Sequence, residues 1–291
     1  MAEKKRLEDY DPEMRELILK ELKKSERRRK LLIAFFIILT LGGFGAYAVY
    51  YKTAGEGNER GSELANLVGD ERLVNMRHAN GDAPVYTATL TDETGRVIEL
   101  EVLDKYKSLY NLNNDLIGWI KIDDTNIDGP VMQGADNEYY LNHDFDRKED
   151  KAGCFFLDCG CEIVNRNDNL IIYGHHLSSG QMFSKLSAYE SEAYYEKHPY
   201  IQFDTIYEEG RYQVMYAFRS HVYNEDEITF KYYQFRDAHS EEEFLSNMRE
   251  MAQMAYYDTG VTAVWGDKLL TLSTCDYNEE NGRFVVVAKK I

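Results

Sequence analysis

From residue 118 onward, apolar residues come in short runs separated by polar turns, a spacing typical of β-strands. The predicted strands are Gly118–Ile122, Gly129–Gln133, Gly153–Leu157, Leu170–Tyr173, Tyr200–Asp204, Tyr212–Ser220, Ala263–Leu272 and Phe284–Ala288. Two helical patterns interrupt them, at Met182–Tyr195 and Ser240–Tyr257. Because helices do not alternate regularly with strands, the pattern indicates a β-barrel rather than βαβ units.

Helical spacing is clearest in the second insertion. Ser240 and Glu243 form a capping box at its start, and Phe244, Met248, Met251 and Met254 recur on one face. Such a stripe is more typical of core packing than of a cofactor site.

Upstream of the barrel, the spacing predicts a helix over Val102–Leu112, a looser helix over Ser62–Arg77, and a hairpin from Val85–Leu90 and Val97–Val102. The predicted fold class is mostly β with helices (α+β).

One long apolar run stands apart from this pattern. Leu31–Tyr51 contains no charged residue, and about 20 such residues cross the ~30 Å hydrocarbon core of a bilayer. We predict a transmembrane helix. The alternative is a signal peptide cleaved near Ala46 or Ala48, but its apolar core would span only about 7–15 residues, and here a polar segment precedes the run.

Lysine and arginine placement predicts the orientation of this helix. Residues 1–30 hold 11 Lys or Arg and 8 Asp or Glu, a formal charge of +3, and the basic flank of a membrane helix usually stays in the cytoplasm. The whole chain carries −17, so the part beyond residue 30 carries −20. That charge disfavours nucleic acid as a partner.

The predicted organisation follows from these segments. We expect a cytoplasmic basic segment at 1–30, the membrane helix at 31–51, an extracellular stalk at 52–80, and a globular domain at 81–291. Within the stalk, Thr53–Gly61 is polar and glycine-rich, a composition that favours a flexible link.

A cysteine and an arginine stand at neighbouring strand ends near the C-terminus. Two apolar runs, Leu269–Leu272 and Phe284–Ala288, flank a polar segment with an Asn-Gly pair, which predicts two strands joined by a turn. If the strands pair, Cys275 and Arg283 lie close together, where a thiolate and a guanidinium could act on one carbonyl. The alternative is an ordinary buried cysteine in a strand.

A histidine stands at a third strand end. The run NLIIYGHH stops at a glycine that His175 follows directly. A neighbouring imidazole would favour the reactive thiolate of Cys275, since a free thiol has a pKa of about 8.5. His176 is the competing candidate, but alternation along an extended segment would point its side chain the other way.

These strings together resemble those of class B sortases. The resemblance rests on the order His…Cys…Arg, on IIYGH, TLSTC and RFVVVAK, and on GWIKIDDTNIDGPVMQGADNEYYLNHDF and KAGCFFLD upstream, and it covers roughly Leu112 to the C-terminus. It implies a sortase-like β-barrel with N-terminal helices and a long helix inserted between late strands. The domain at 81–291 would then be catalytic.

The resemblance also implies the site. Cys275 would be the nucleophile, His175 the general acid and base, and Arg283 the donor to the oxyanion. The spacing from Cys275 to Arg283 is shorter than in some family members, which leaves the turn geometry open. Residues that would line the groove for the sorting peptide are Ser273, Tyr173, Asn137 and Leu141.

The implied function is a membrane-anchored cysteine transpeptidase facing the cell wall of a Gram-positive cell. It would cleave an NPxTx-like sorting signal after Thr and pass the protein to a cell-wall amine. Alternatives are a pilin polymerase that uses a lysine amine, an L,D-transpeptidase-like enzyme, and an inactive binding module. An L,D-transpeptidase would show an S-x-G-C-x-R-like string where this chain has TLSTCDY.

Three further cysteines, Cys154, Cys159 and Cys161, complete no zinc pattern, since neither the histidine spacing nor a second thiol pair is present. We expect free thiols or one non-catalytic disulfide. No motif for a phosphate loop, metalloprotease site or calcium loop occurs, so no metal or cofactor is implied.

Overall fold

The structure is a computed structural model that describes residues 8, 10–70, 85–91, 94–276 and 281–291. The chain separates into two compact units, Met1–Asn58 and Glu59–Ile291. The second unit thus begins earlier than the predicted boundary at 81, because Leu64 is buried in its core and Arg60 pairs with Asp146 through Nη2 at 2.7 Å.

The first helix, α1, runs over Pro12–Leu67. Its portion Pro12–Val49 contains a window of mean hydropathy 2.2 with no part buried, long and apolar enough to cross a membrane; signal sequences near an N-terminus have the same properties. The glycine-rich segment Thr53–Gly61, predicted as a flexible link, is helical. Of the predicted helix Ser62–Arg77, the part up to Leu67 is helical and residues 71–77 lie outside the described residues.

A hairpin and a short helix precede the barrel, as predicted. Strands β1 (Thr87–Thr91) and β2 (Val97–Glu101) pair antiparallel, and α2 covers Asp104–Leu112. One side of α2 is buried through Tyr106 and Leu109, which is the apolar side that the sequence pattern indicates.

Eight strands form a closed barrel in the order β10-β8-β7-β3-β4-β5-β6-β9. Their bounds are β3 Leu116–Lys121, β4 Asp128–Met132, β5 Phe155–Leu157, β6 Asn169–Tyr173, β7 Tyr200–Thr205, β8 Arg211–His221, β9 Leu269–Asp276 and β10 Gly282–Lys290. Two neighbouring pairs, β4–β5 and β6–β9, are parallel, and the other pairs are antiparallel.

One predicted strand is displaced. The sequence pattern gives Ala263–Leu272, but β9 begins at Leu269 and runs through Cys275 to Asp276. Gly266 has a φ of 95°, a left-handed conformation that a strand does not adopt. Cys275 therefore lies within the strand, at its next-to-last position.

The helices outside α1 and α2 are short or packed on the barrel. Met182–Tyr195 is mostly a 3₁₀ helix, Phe183–Glu190, followed by α3, Glu192–Lys197. The later insertion is α4, Glu241–Met254. Further 3₁₀ turns cover Tyr139–Leu141 and Tyr232–Gln234.

The start of α4 realises half of the predicted capping box. Ser240 accepts a hydrogen bond from the Glu243 backbone N–H at 3.2 Å, but the Glu243 carboxylate accepts from the His239 N–H at 2.8 Å rather than from Ser240. The helix start is still capped twice, by neighbouring residues.

Strand β10 has an unbroken apolar sequence because both of its faces are buried. Phe284 and Val286 face the barrel interior, whereas Val285 and Val287 pack in a second cluster with Phe244 of α4. Strands buried on both faces carry continuous rather than alternating apolar runs. Arg283 is the second residue of β10 and directly precedes this buried run.

Candidate active site

The strand register brings Cys275 and Arg283 together. In the antiparallel β9–β10 pair, Arg283 lies directly opposite Cys275, and on its other side Arg283 lies opposite Ser220 of β8. Directly opposed residues project to the same face with Cβ atoms about 4.5–5.5 Å apart. Both side chains are partly exposed, so a substrate carbonyl can reach the two together.

The parallel β6–β9 pair brings in the histidine. Its register ends with Tyr173 opposite Ser273, and two bonds continue the alignment: the Gly174 N–H donates to the Ser273 carbonyl at 3.2 Å, and Thr274 Oγ1 donates to the Gly174 carbonyl at 2.7 Å. His175 lies two residues after Tyr173, and Cys275 lies two residues after Ser273, so His175 and Cys275 are level with each other on neighbouring chain segments. The structure places the three predicted catalytic side chains at one end of three adjacent strands.

His175 is held by hydrogen bonds on two sides. Its ring Nε2 lies 2.8 Å from the Leu141 carbonyl oxygen, an acceptor, so Nε2 carries the proton and Nδ1 remains for the reaction. Its own carbonyl accepts from the Phe183 N–H at 2.9 Å. Cys275 and His175 both belong to the described residues and share no hydrogen bond; catalytic contacts of this kind often form only with substrate bound.

Gly174 is required by close packing. A Cβ at this position would lie 2.7 Å from a ring carbon of Phe183 and 2.9 Å from one of Phe155, closer than such atoms approach in proteins. The glycine of the YGH string thus allows the backbone to pack against the Phe183 and Phe155 rings at the residue before His175. His176 forms an isolated antiparallel backbone bridge with Met182, so the segment that carries the two histidines is extended there.

Arg283 is anchored by its own turn. Its Nη1 donates to the Gly282 carbonyl at 2.9 Å and to the Asn281 carbonyl at 3.3 Å. Asn281 has a φ of 56°, consistent with the turn that the Asn-Gly pair predicts, although residues 277–280 lie outside the described part. Nε and Nη2 make no hydrogen bond to any residue within the described ranges, so their N–H groups can serve as donors toward a substrate.

Ser273 lies beneath the surface of the site. It is 1% exposed, and its Oγ is 2.8 Å from the hydroxyl of Tyr232. Burial raises the pKa of Tyr232 to about 12, while the hydrogen bond to Ser273 and the charge of Arg283 act in the opposite direction. Ser273 therefore supports the floor of the site through a tyrosine that sequence patterns give no reason to select.

Tyr173 and Asn137 meet at a residue that the sequence analysis did not select, Asp158. The Tyr173 hydroxyl donates to Asp158 Oδ2 at 3.1 Å and the Asn137 amide donates to the same oxygen at 2.9 Å. Burial, together with the Asp158 charge, raises the pKa of Tyr173. Asp158 directly follows a buried strand, β5, and a polar residue at a strand end is the signal that could have identified it.

Leu141 contributes mainly through its backbone, which accepts the His175 bond, while its side chain packs partly buried on a cluster that includes Tyr140 and Phe145. It stands in the 3₁₀ turn that follows Asn137. Of the four predicted groove residues, Leu141 alone bonds to His175 among the described residues, through its carbonyl. Tyr173 and Asn137 share Asp158, and Ser273 bonds to Tyr232.

All four cysteines are free thiols in the structure, which is the first of the two expected states for Cys154, Cys159 and Cys161. Burial raises the pKa of Cys154, and it raises that of Cys161 to about 12. Neither can supply a thiolate near neutral pH. Cys159 is exposed but lies on a turn away from His175 in the register, so Cys275 is the cysteine placed for catalysis.

Known proteins are similar to this chain in sequence and fold. The family model described as Sortase domain matches residues 120–291. Sortase B of Staphylococcus aureus is 35% identical over 192 residues, which is 65% of this chain and 76% of that relative. Sortase B of Listeria monocytogenes is 32% identical over 194 residues, which is 66% of this chain and 76% of that relative.

Solved structures agree. A Staphylococcus aureus sortase B–substrate complex has a TM-score of 0.60 at 35% identity, covering 65% of this chain and 86% of that chain. Sortase B of B. anthracis in complex with AAEK1 has a TM-score of 0.65 at 26% identity, covering 83% and 99%. The family match over more than half of the chain, the close relatives and the shared barrel show that this chain belongs to the sortase family, as a class B cysteine transpeptidase.

Proposed function

We propose that this chain is a membrane-anchored transpeptidase that cuts an NPxTx-like sorting signal after Thr and joins the new carboxyl end to an amine of the cell wall. The observation that carries the proposal is the pairing of Cys275 with Arg283 across β9 and β10, with His175 at the end of the adjacent strand. Nucleophile, oxyanion donor and proton carrier then meet around one carbonyl.

The first half-reaction forms a thioester. The Cys275 thiolate attacks the threonine carbonyl, and the negative charge that develops on its oxygen is stabilised by the Nε and Nη2 N–H groups of Arg283. While Cys275 is a thiolate, His175 carries a proton on both ring nitrogens. As the C–N bond breaks, it gives its Nδ1 proton to the departing amine and becomes neutral. The thioacyl intermediate and a released C-terminal peptide are the products.

The second half-reaction reverses these roles. An incoming amine attacks the thioester, neutral His175 takes its proton, and the C–S bond breaks to return the Cys275 thiolate. The donation of His175 Nε2 to the Leu141 carbonyl keeps Nδ1 as the atom that gains and loses the proton. The net reaction exchanges one amide for another, so neither an oxidant nor a metal is consumed.

The proposed location follows from the N-terminal unit. Residues 1–30 would stay in the cytoplasm, the span 31–51 would cross the membrane, and the domain would face the cell wall. The exposed apolar helix and the basic run Arg27–Lys30 before it support this proposal. Protease added to wall-stripped cells should remove the domain and leave residues 1–30 protected; digestion of the N-terminal segment with the domain intact would reverse the orientation.

A library of quenched sorting peptides tests the reaction and its substrate. The soluble domain should cleave NPxTx-like members, and a chosen amine should appear in the product in place of the released peptide. Cys275→Ala should abolish both. Cleavage that persists in Cys275→Ala would remove Cys275 from the mechanism, and a preference for other motifs would replace the proposed signal.

A further inference from the structure

Asp158 is a buried carboxylate that the reaction scheme leaves without a role. It is 3% exposed and stands just after β5. Its Oδ2 accepts from the Asn137 amide and the Tyr173 hydroxyl, and its Oδ1 accepts from the Gly160 N–H at 2.9 Å and from Arg236 Nη1 at 3.3 Å. Four donors on one carboxylate make the orientation of each donor predictable.

The bonds fix which way the Asn137 amide points. Its oxygen accepts from the Cys159 N–H at 2.8 Å, and one N–H of its amide group donates to Asp158. A flipped amide would set its oxygen against the carboxylate and its NH₂ against another N–H. Asn137 is partly exposed, so the group it has left to offer is the second amide N–H, a donor.

The same carboxylate fixes Tyr173 in the opposite sense. The hydroxyl proton is directed to Asp158, and the raised pKa of Tyr173 keeps that proton in place at neutral pH. The phenolic oxygen therefore offers a lone pair, an acceptor. Side by side, Asn137 and Tyr173 present one donor and one acceptor, the pair that an extended peptide backbone requires.

Tyr173 stands close to the catalytic histidine along the strand, and Asn137 is joined to Tyr173 through their shared partner Asp158. Tyr173 precedes His175 by two residues on the same strand face, and Asn137 precedes the turn whose Leu141 carbonyl accepts from His175.

We propose that Asp158 is a positioning residue that sets the hydrogen-bond polarity of the sorting-peptide groove, so that Asn137 donates to a peptide carbonyl and Tyr173 accepts from a peptide N–H. This inference rests on the proposed function of the site. The alternative is that Asp158 serves only to hold its own turn and the ion pair with Arg236, in which case the groove residues would keep their orientation without it.

Asp158→Asn separates the two possibilities. Arg236 and the Gly160 N–H are both donors, so they hold the oxygen of the new amide where Oδ1 was. The new NH₂ then faces Asn137 and Tyr173, and the Tyr173 hydroxyl must accept from it instead of donating. With the best sorting peptide, we expect KM to rise about tenfold or more, the scale of a mispaired buried donor, while kcat changes by less than about threefold. Arg236→Gln is the matched control, since it removes the ion pair but keeps both groove bonds, and its KM should stay near that of the parent.

A double-mutant cycle with Tyr173→Phe provides a second readout. Without the hydroxyl there is no proton to redirect, so Asp158→Asn should raise KM less in the Tyr173→Phe background than in the parent. Thermal midpoints on the same preparations report any loss of folding. Unchanged KM in Asp158→Asn, or equal effects in both backgrounds, would overturn the inference while parent cleavage stands. Absence of cleavage by the parent would instead refute the proposed function itself.

Discussion

Replacing Arg283 by lysine distinguishes a role at the reacting carbonyl from a role in folding. The guanidinium carries five N–H donors in a planar fork, and Nη1 is directed to the carbonyls of Asn281 and Gly282. The fork can hold its own turn and still offer fixed donors to an oxyanion. A lysine ammonium is a single point with three donors and cannot do both in fixed geometry.

The expected losses differ greatly in size. Removing one donor to an oxyanion costs about 10²–10³ in rate, or about 2.7–4 kcal/mol of transition-state stabilisation. A partly exposed charge contributes about 0–1 kcal/mol to folding. We therefore expect Arg283→Lys and Arg283→Ala to lose about two to three orders of magnitude in kcat/KM, with thermal midpoints close to that of the parent.

The assay measures kcat/KM for peptide cleavage and the thermal midpoint on the same preparations. Arg211→Lys is the matched control, because Arg211 begins β8 at the far end of the barrel and stacks on Tyr200 with 3.9 Å from its guanidinium carbon to the ring centre. It should keep normal kinetics. Near-normal kcat/KM in Arg283→Lys would refute the assignment and leave Arg283 as a structural residue.

Three further outcomes follow from packing and burial. Gly174→Ala should lower both stability and kcat, since its Cβ would meet the Phe183 ring at 2.7 Å; an unchanged midpoint and rate would show that the ring moves freely. Iodoacetamide at pH 8 should modify Cys275 and Cys159 in the native protein and the two buried cysteines only after unfolding, as peptide mapping can check. Burial raises the pKa of Tyr232 from 10.0 to about 12, so the stability that its protonated form contributes is complete below pH 10 and is lost as pH rises through about 12. Over that range, Tyr232→Phe should therefore lose less free energy of unfolding than the parent. Equal dependence of the unfolding free energy on pH in the two proteins would contradict this.

The grouping of the three candidate catalytic residues was predictable because each stands where an apolar run gives way to polar residues. Such runs mark strand ends, and paired strands bring their ends together, so Cys275, His175 and Arg283 could be grouped before their contacts were known. The start of β9 was not predictable from the same runs, because Ala263 and Val264 continue the apolar pattern although Gly266 interrupts the strand.

The supporting residues could not be predicted in the same way. The role of Asp158 depends on the hydrogen bonds that it accepts from Asn137, Tyr173 and Arg236. These residues are distant in sequence, and only the folded barrel brings them together. The helical state of Thr53–Gly61 was missed for a related reason. The glycine-rich composition favours a flexible link there. A helix that has already formed on the N-terminal side can nevertheless continue through the segment, because adding one residue to an existing helix costs much less free energy than starting a new one.

The most direct test of the proposed chemistry is the mass of the enzyme after reaction with its best sorting peptide in the absence of any amine acceptor. The thioacyl step predicts an adduct equal to the peptide segment ending in threonine, and peptide mapping should place it on Cys275. The adduct should disappear when an amine is added and should be absent in Cys275→Ala. An adduct on Cys154, Cys159 or Cys161, or cleavage that proceeds without any trapped or amine-sensitive intermediate, would contradict the account.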